Sequence, residues 1–398
     1  MRLFWHGPGP ARRTRTVVLA VAGMTLTWWC FVSVRLSSSG NSGRSGRILP
    51  AAADDTAVCR QYGWAPYRSP PGSRPRPRKV YDLLLVNDEL DWLEVRLNTT
   101  FAEVDHYVLV EAPLTFTGLP KPLVLRDHWA RFAPYHAKLL YHTLVYPAGF
   151  APRRAWDRED LQRNALLLQA LQDPALPADA RPQDGDVLVV ADVDEIPRPA
   201  ALRALRRCRF PRRLTLQSHF YYYGFQFRHR GPDWPHPQAT TYAGGSGGGG
   251  GGSGDNNPGG TLLPVALRNG DLEVLWPGNS NPVVRVAAVV AALLRRWWDQ
   301  GAMPSAAWHC SSCYATLAEL LHKLESVSHV WMNHPLFRDR DRAADHVRRG
   351  CDLWDRAGEV YDRVENNTDV PPVLLAEPAR YQYLLNRDGE SAGFRDYP

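Results

Sequence analysis

The sequence predicts an α/β protein, with a mostly parallel sheet flanked by helices, an N-terminal transmembrane helix and a helical C-terminal part. Short apolar runs alternate with amphipathic segments between residues 80 and 192, and two further amphipathic segments follow residue 315. Apolar strands that alternate with helices are typical of a parallel sheet covered on both faces. A third observation, an uncharged run near the N-terminus, predicts the transmembrane helix.

Four apolar runs of strand length predict the sheet. They lie at residues 80–86, 106–111 and 186–192, and within 137–146. A helix is predicted after the first run, capped by Asn87 or Asp88, with leucines spaced along one face. A second helix is predicted at about 156–172, after an acidic start.

The second half of the chain is less regular. A glycine-rich tract at 244–260 predicts a disordered loop, which is either a passive insertion or a mobile lid over a site. Beyond it, residues 316–329 and 342–364 have amphipathic patterns that predict helices packed on the sheet.

The excess positive charge lies in the N-terminal part of the chain. The 398 residues include 47 Lys and Arg against 41 Asp and Glu, but residues 1–79 contain 13 of the basic residues and two of the acidic ones. The remainder is therefore mildly acidic. A nucleic-acid-binding protein is expected to carry its positive charge on the folded module, so we set that class of function aside.

Residues 16–34 form an uncharged run of 19 residues that predicts a membrane anchor. A helix of this length spans roughly 28 Å, close to a hydrocarbon core of about 30 Å. Four arginines precede the run, which favours a cytosolic tail at residues 1–15 and a lumenal remainder. The alternative is a cleaved signal peptide, whose apolar region is usually about 7–15 residues long.

Residues 35–79 are rich in Ser, Gly, Pro and Arg and predict a disordered stem. The lumenal domain would then comprise residues 80–398. Two glycosylation sequons, at Asn98 and Asn366, agree with a lumenal position.

Six cysteines are present, of which two precede residue 80. In an oxidising lumen the other four are predicted to form one or two disulfides, with the pairing left open. These four are Cys208, Cys310, Cys313 and Cys351.

Three carboxylates follow the most convincing strand pattern of the chain. Asp192, Asp194 and Glu195 lie at the carboxyl end of the predicted strand, where open α/β sheets bind their ligands. Clustered carboxylates repel one another and need a compensating cation, and hard oxygen ligands suit Mg²⁺ or Mn²⁺. The sequence therefore predicts a metal site at Asp192 and Asp194, whose ion would bridge the two phosphates of a nucleotide sugar.

Several segments occur together in a recognisable order: VYDLLLVNDELDWLEVRL, VDHYVLVEAPLTFTGLPKPL, QRNAL, ADVDEIP and WHCSSCYATLAELLHKLESVSH. They resemble glycosyltransferase family 17, the β-1,4-mannosyl-glycoprotein β-1,4-N-acetylglucosaminyltransferase family, over roughly residues 80–395. The region 230–300 departs from the family's pattern, and the stretch after Gly350 is more similar to fungal and plant-like branches than to the animal bisecting enzymes.

The resemblance implies a GT-A-like fold, UDP-N-acetylglucosamine as the donor and a mannose of an N-glycan as the acceptor. It also implies a single-pass type II protein of the Golgi membrane, and it matches the family's acidic motif to Asp192, Asp194 and Glu195. An α-linked donor sugar and a β-1,4-linked product imply inversion. Inversion needs a carboxylate base that takes the proton of the acceptor hydroxyl.

The remaining site residues are predicted from their positions. The base is predicted to be Glu195 or Asp233, with Asp271 as a further candidate, and His309 is predicted as an additional metal ligand. Binding of the nucleotide sugar is predicted for Asn87, Asp88, Glu89, Glu111, Arg163 and Asp192.

Each of these assignments has a structural alternative. Asn87 or Asp88 can cap a helix, Arg163 can pair with Asp192 instead of a diphosphate, and His309 can be a packed core histidine. The aromatic run at residues 220–227 can stack on sugars, although packing within a strand explains most of its side chains.

Two other functions share part of this pattern. A metal-dependent hydrolase of nucleotide sugars or phosphoesters would use the same acidic cluster, but typically with more metal ligands. A membrane-anchored, non-catalytic carbohydrate-binding protein would bind glycan without UDP or metal. The oligomeric state is left open.

Overall fold

The computed structural model describes residues 55–69, 76–244, 260–269 and 299–398. The predicted cytosolic tail, the predicted transmembrane helix at 16–34 and most of the glycine-rich tract lie outside these residues. Within the described ranges, no helix has the length and apolar character needed to cross a bilayer.

A mixed sheet forms the centre of the domain. The strands are β1 Ala65–Pro66, β2 Val80–Val86, β3 His106–Glu111, β4 Leu139–Thr143, β5 Val187–Asp192, β6 Glu195–Pro197, β7 Cys208–Arg209, β8 Arg213–Tyr222, β9 Gly224–His229, β10 Gln238–Thr241, β11 Gln300–Ser311 and β12 Tyr361–Arg363. The α-helices are α1 Asp55–Gln61, α2 Leu90–Thr100, α3 Val124–Asp127, α4 Ala155–Ala165, α5 Pro199–Arg207, α6 Pro264–Asn269, α7 Leu317–Ser326, α8 Arg340–Arg349, α9 Pro372–Ala376 and α10 Gln382–Leu385. A π-helical segment, Leu166–Leu171, extends α4.

The four predicted strands are confirmed as β2, β3, β4 and β5, and they form the parallel half of the sheet. Every residue of β2 is buried, because α2 covers one face of the sheet and α4 with its π-helical extension covers the other. Leu84 packs with Leu93 of α2 on the first face, and Leu83 packs with Leu167 on the second. A strand covered on both faces is apolar throughout, which explains the run VYDLLLV.

The prediction of a mostly parallel sheet is wrong for the other half. From β5 outward, β10, β8, β9 and β12 pair antiparallel, and only β11 runs parallel to β8. For β8 and β9 the reason is local: Tyr223, with a φ of 65°, joins the two strands directly. Such a tight connection permits only an antiparallel pair, whereas a parallel pair requires a crossover.

The parallel half contains a topological switch point. The chain passes from β2 to β3 and then to β4, and β5 returns to the opposite edge of β2. Open α/β sheets bind ligands in the crevice at the carboxyl ends of the two strands where the order reverses. Here these ends are Val86 of β2 and Asp192 of β5.

The C-terminal helices are only partly as predicted. The helix predicted over 316–329 is confirmed as α7, Leu317–Ser326, which begins with a capping box in which Thr316 and Glu319 each accept from the other's backbone N–H. The helix predicted over 342–364 is wrong beyond residue 349, because Gly350 adopts a φ of 66° and ends α8. A side chain at that position would clash with the Phe227 ring.

The prediction of a disordered stem is wrong for residues 55–69. This segment contains α1 and β1, and it is joined to the domain by a disulfide between Cys59 and Cys208. A second disulfide joins Cys310 to Cys313, and Cys351 is free. The sequence therefore predicted one bridge within the correct set of four cysteines but missed the partner of Cys208.

The Cys59–Cys208 disulfide is expected to stabilise the domain, because it closes a loop with a sequence separation of 149 residues. Cys59→Ser should lower the free energy of unfolding by about 2–4 kcal/mol, measured by denaturant unfolding. Cys351→Ser is the matched control, since it removes a thiol that forms no disulfide. Equal effects of the two substitutions would show that the bridge contributes nothing.

Candidate active site

The acidic turn, which we define as residues 192–195, connects β5 to β6 and is held by Arg96 of α2. Arg96 Nη1 donates to the backbone carbonyl oxygens of Asp192 at 3.1 Å and Glu195 at 2.6 Å. The same guanidinium pairs with both carboxylate oxygens of Asp82, at 2.6 and 2.7 Å. Both charged side chains are fully buried. A buried ion pair between β2 and α2 therefore fixes the backbone of the turn at the switch point.

Glu195 is buried at the base of the turn and is fully paired. Arg268 donates to both carboxylate oxygens at 2.7 and 2.8 Å, and Trp234 Nε1 and the backbone N–H of Asp192 also donate, at 2.8 and 3.0 Å. Burial raises the pKa of Glu195, but Arg268 outweighs it and holds this pKa well below its usual value. The prediction of Glu195 as the catalytic base is not supported by this geometry, because neither oxygen is available to an acceptor.

Asp192 is paired with two arginines while part of its side chain, 38%, stays exposed. Arg163 donates to one carboxylate oxygen at 3.0 Å and Arg268 to the other at 2.6 Å. Burial raises the pKa of Asp192, but the two guanidinium groups outweigh it and lower this pKa. The structure thus brings Arg163 to Asp192, which is one of the two roles predicted for it, and Arg163 also pairs with Glu159 at 2.7 Å.

Asp194 has no arginine partner among the described residues. Its side chain is 17% exposed, and His309 Nδ1 lies 3.6 Å from Asp194 Oδ1. Burial raises the pKa of Asp194 to about 7; Lys323 opposes this increase, while the charges of Asp192 and Glu195 add to it. Of the three carboxylates in the turn, Asp194 is therefore the one that forms no ion pair with an arginine of the described residues.

His309 of β11 lies between two aromatic rings. It stacks on Phe220 with ring centroids 5.1 Å apart and on Trp234 with centroids 5.0 Å apart. Burial lowers the pKa of His309 to about 4 although Glu195 acts in the opposite direction, so the imidazole is neutral. A neutral imidazole beside Asp194 is compatible with both the predicted ligand role and the packed alternative.

The residues after β2 lie at the other side of the switch point. The predicted capping of α2 by Asn87 or Asp88 is wrong: Glu89 is the N-cap residue, and its Oε2 accepts from the backbone N–H groups of Asn87 and Asp88, both at 3.2 Å. Burial raises the pKa of Asp88 to about 7, and the charge of Glu89 adds to this increase. The pKa of Glu89 is itself raised, by burial and by the charge of Asp194. Asp88 and Glu89 line a small cleft that also includes Tyr314 and Glu319. This side of the site is acidic.

Glu111 and Asp233 are the remaining predicted site residues in the described part of the chain, and Asp271 lies outside it. Glu111 is fully buried, and its oxygens accept from the backbone N–H groups of Leu125 and Arg126 and from the Tyr141 hydroxyl. It therefore stabilises the start of α3, and no ligand role follows from its position. Asp233 immediately precedes Trp234, is 31% exposed and has Arg228 Nη2 at 3.8 Å.

The sequence analysis missed three residues that contact the acidic turn. Arg268 lies in a six-residue helix after the glycine-rich tract, where no family pattern is recognisable. Trp234 lies outside the aromatic run at residues 220–227. Arg96 had a detectable signal: it lies on the buried side of α2 between Leu93 and Leu97, and Asp82 interrupts an otherwise apolar strand. Two opposite charges in buried positions indicate an ion pair.

Comparison with known proteins agrees with the resemblance predicted above. The sequence profile of glycosyltransferase family 17 matches residues 49–243, just under half of the chain. Human and rat β-1,4-mannosyl-glycoprotein 4-β-N-acetylglucosaminyltransferases are each 30% identical to this chain over 150 residues, and the mouse protein of that name is 29% identical. The aligned part covers 37% of this chain and 27% of each relative. The predicted resemblance is confirmed.

The Asp82–Arg96 pair is expected to dominate the stability of the site. Arg96→Met should lower the free energy of unfolding by about 3–5 kcal/mol, because it leaves Asp82 buried and unpaired. The double substitution Asp82→Leu with Arg96→Met should be less destabilising than Arg96→Met alone, since it removes both charges. Urea unfolding of the two single variants and the double variant measures the coupling. Additive losses would contradict the interpretation of this pair as a coupled unit.

Proposed function

We propose that this chain, which matches glycosyltransferase family 17 over residues 49–243, is an inverting glycosyltransferase with a GT-A-like fold. It transfers N-acetylglucosamine from UDP-N-acetylglucosamine to a mannose of an N-glycan in β-1,4 linkage. The observation that carries the proposal is the acidic turn at the switch point of the sheet, within the family match. The names of the relatives support the choice of donor and acceptor.

The residues fit a divalent cation held mainly by Asp194. Among the described residues no three His, Cys, Asp or Glu side chains converge on one point. Three are not required, because Mg²⁺ at nucleotide sites typically binds through one or two carboxylates plus substrate phosphates, and Mn²⁺ prefers similar ligands. Asp194, which is partly exposed and forms no ion pair with an arginine of the described residues, fits this role, with neutral His309 as a second candidate. When bound, the cation would stabilise the negative charge that develops on the leaving diphosphate.

Asp192 is proposed to orient the donor. Arg163 and Arg268 each occupy one of its oxygens, but every carboxylate oxygen can accept more than one hydrogen bond, and the side chain is partly exposed. A ribose hydroxyl of the nucleotide is a suitable donor for the remaining lone pairs. Asn87 and Asp88, at the end of the neighbouring strand, are proposed to contact the nucleotide on the other side of the switch point.

The proposed base is Asp233. Glu195 is fully paired, and of the other predicted carboxylates Asp233 lies next to Trp234, whereas Asp271 lies outside the described residues. Asp233 is partly exposed, and its contact with Arg228 is long. In the transfer step the acceptor oxygen would form a bond to the anomeric carbon while the bond to the diphosphate breaks, and Asp233 would take the hydroxyl proton.

The proposed location is the Golgi membrane, with an anchor at residues 16–34 and the domain in the lumen. The proposed cation is Mn²⁺ or Mg²⁺. The disulfides support an oxidising compartment. The acceptor residues of both sequons, Asn98 and Asn366, are exposed, as glycosylation requires.

The proposal is tested by UDP binding and UDP release with the purified full-length chain. UDP-N-acetylglucosamine, Mn²⁺ and a panel of N-glycan oligosaccharides should give acceptor-dependent release that chelator abolishes. Asp194→Asn should weaken Mn²⁺-dependent UDP binding at least tenfold, since even outer-sphere partners of a metal typically contribute about 10–100-fold. Asp345→Asn, an exposed surface carboxylate of α8, is the control.

The outcomes separate the alternatives. UDP binding without turnover would support the assignment of the donor and refute the assignment of the acceptor. Hydrolysis of the donor that no acceptor accelerates would favour the hydrolase. Glycan binding that needs neither UDP nor metal would favour the carbohydrate-binding protein, and absence of any UDP binding would refute the proposed function.

Arg268 is expected to reduce the metal affinity of the donor-free protein, because its charge neutralises Asp192 and Glu195. Arg268→Gln should raise the affinity for Mn²⁺ at least tenfold, because removing a nearby unit charge changes the energy of a divalent cation by about 2 kcal/mol even at the dielectric constant of water, about 80. Electron paramagnetic resonance of free Mn²⁺, without nucleotide, measures the change. Arg203→Gln is the control, because Arg203 pairs with Glu103 away from the turn. Unchanged Mn²⁺ affinity would contradict the proposed cation position.

A further inference from the structure

The connection between α7 and α8 is tied to the acidic turn. Ser328 Oγ donates to Glu159 at 2.7 Å, Glu159 pairs with Arg163 at 2.7 Å, and Arg163 pairs with Asp192 at 3.0 Å. A short chain of polar contacts therefore connects the start of this segment to the candidate site.

Trp331, three residues after Ser328, is unusually exposed. Just over half of its surface, 54%, is accessible to solvent. In the described ranges no other Trp, Phe or Tyr side chain is as exposed. Its ring meets that of Trp354 at 62°, with centroids 6.2 Å apart. The two indoles form a corner in which the Trp331 ring is exposed and the Trp354 ring is partly buried. Because exposure of a large aromatic surface is costly, such a corner indicates a binding surface.

A row of aromatic rings extends from this corner to the turn. The row consists of Trp354, Tyr222, Tyr361, Phe220 and His309, with successive centroids 6.2, 4.6, 6.3 and 5.1 Å apart. Tyr222 and Tyr361 are buried, so the corner has a packed support rather than a loose one. The polar chain through Glu159 and this aromatic row are independent connections to the same turn.

Charged groups border the corner. The Arg356 guanidinium lies 5.1 Å from the centre of the Trp354 ring and pairs with Asp352 at 2.7 Å, and Glu359 lies 4.0 Å from the same guanidinium. A pyranose ring has an apolar C–H face that stacks on an indole and hydroxyl groups at its edge that bond to charged side chains. An apolar face with a charged border therefore suits a sugar ring better than an aliphatic chain.

We propose that Trp331 and Trp354 form a binding corner for a pyranose ring of the acceptor glycan, with Arg356 bonding to its hydroxyl groups. The inference rests on the proposed function, because the acceptor must lie beside the donor sugar at the acidic turn. It names the part of the molecule that selects the acceptor, and it uses residues that lie outside the family match at 49–243.

The test measures the dissociation constant of the trimannosyl N-glycan core oligosaccharide for the full-length chain by titration calorimetry, with UDP and Mn²⁺ present. Trp331→Ala should weaken binding about tenfold, the size expected for loss of one aromatic stacking contact. Trp331→Phe should restore most of the affinity, because it keeps a flat apolar face. Leu336→Ala is the matched control, since Leu336 lies on the same connection and is 53% exposed.

UDP affinity, measured in the same samples, should be equal in all four proteins. Equal oligosaccharide affinity of Trp331→Ala and the unmodified chain would overturn the proposal, and so would absence of oligosaccharide binding to the unmodified chain. In both cases the UDP measurement decides the proposed function separately. A loss confined to binding of phosphatidylcholine vesicles would make Trp331 a membrane contact and would also overturn the proposal.

Discussion

The buried pair between Asp82 and Arg96 is the interaction on which the candidate site depends. Removing two charged side chains from water costs free energy. Their mutual attraction offsets this cost only when their remaining hydrogen-bond donors and acceptors also find partners. Arg96 meets that condition by donating to carbonyl oxygens of the acidic turn as well as to Asp82. The ion pair and the turn are therefore one unit: the turn satisfies the guanidinium, and the guanidinium fixes the backbone from which Asp192 and Asp194 extend.

The carboxylates of the turn differ in how their charge is balanced. Glu195 is matched by Arg268 beneath the surface, and Asp192 is matched by Arg163 and Arg268 while remaining partly exposed. Asp194 has no such partner in the described part of the chain. Because these arginines come from different helices, α4 and α6, the charge balance of the turn requires the surrounding elements to be assembled. This difference is the basis on which Asp194, and not its neighbours, is proposed as the cation ligand.

The parts of this arrangement that the sequence reveals are those encoded within one short segment. Apolar runs revealed β2 to β5, and the acidic motif after β5 revealed the turn. Pairing direction was not visible, because the runs of β8 and β9 look the same whether their partners are parallel or antiparallel. Arg268 was also hidden, since its importance arises only when α6 folds against β5. By contrast, Asp82 and Arg96 each interrupt an apolar pattern, so their partnership was open to inference from sequence.

The two ends of the glycine-rich tract meet. Gly244 and Gly260 form a bridge, and beside it the Thr261 side chain exchanges hydrogen bonds with the backbone of Ala243. The chain thus enters and leaves the tract at one point, and α6 with Arg268 is positioned by contacts that follow this closure. Because loop-closure entropy changes slowly with loop length, a shorter or longer tract is expected to have little effect on the structure of the site. This is a natural place for insertion of a foreign sequence, such as an affinity tag or a reporter domain.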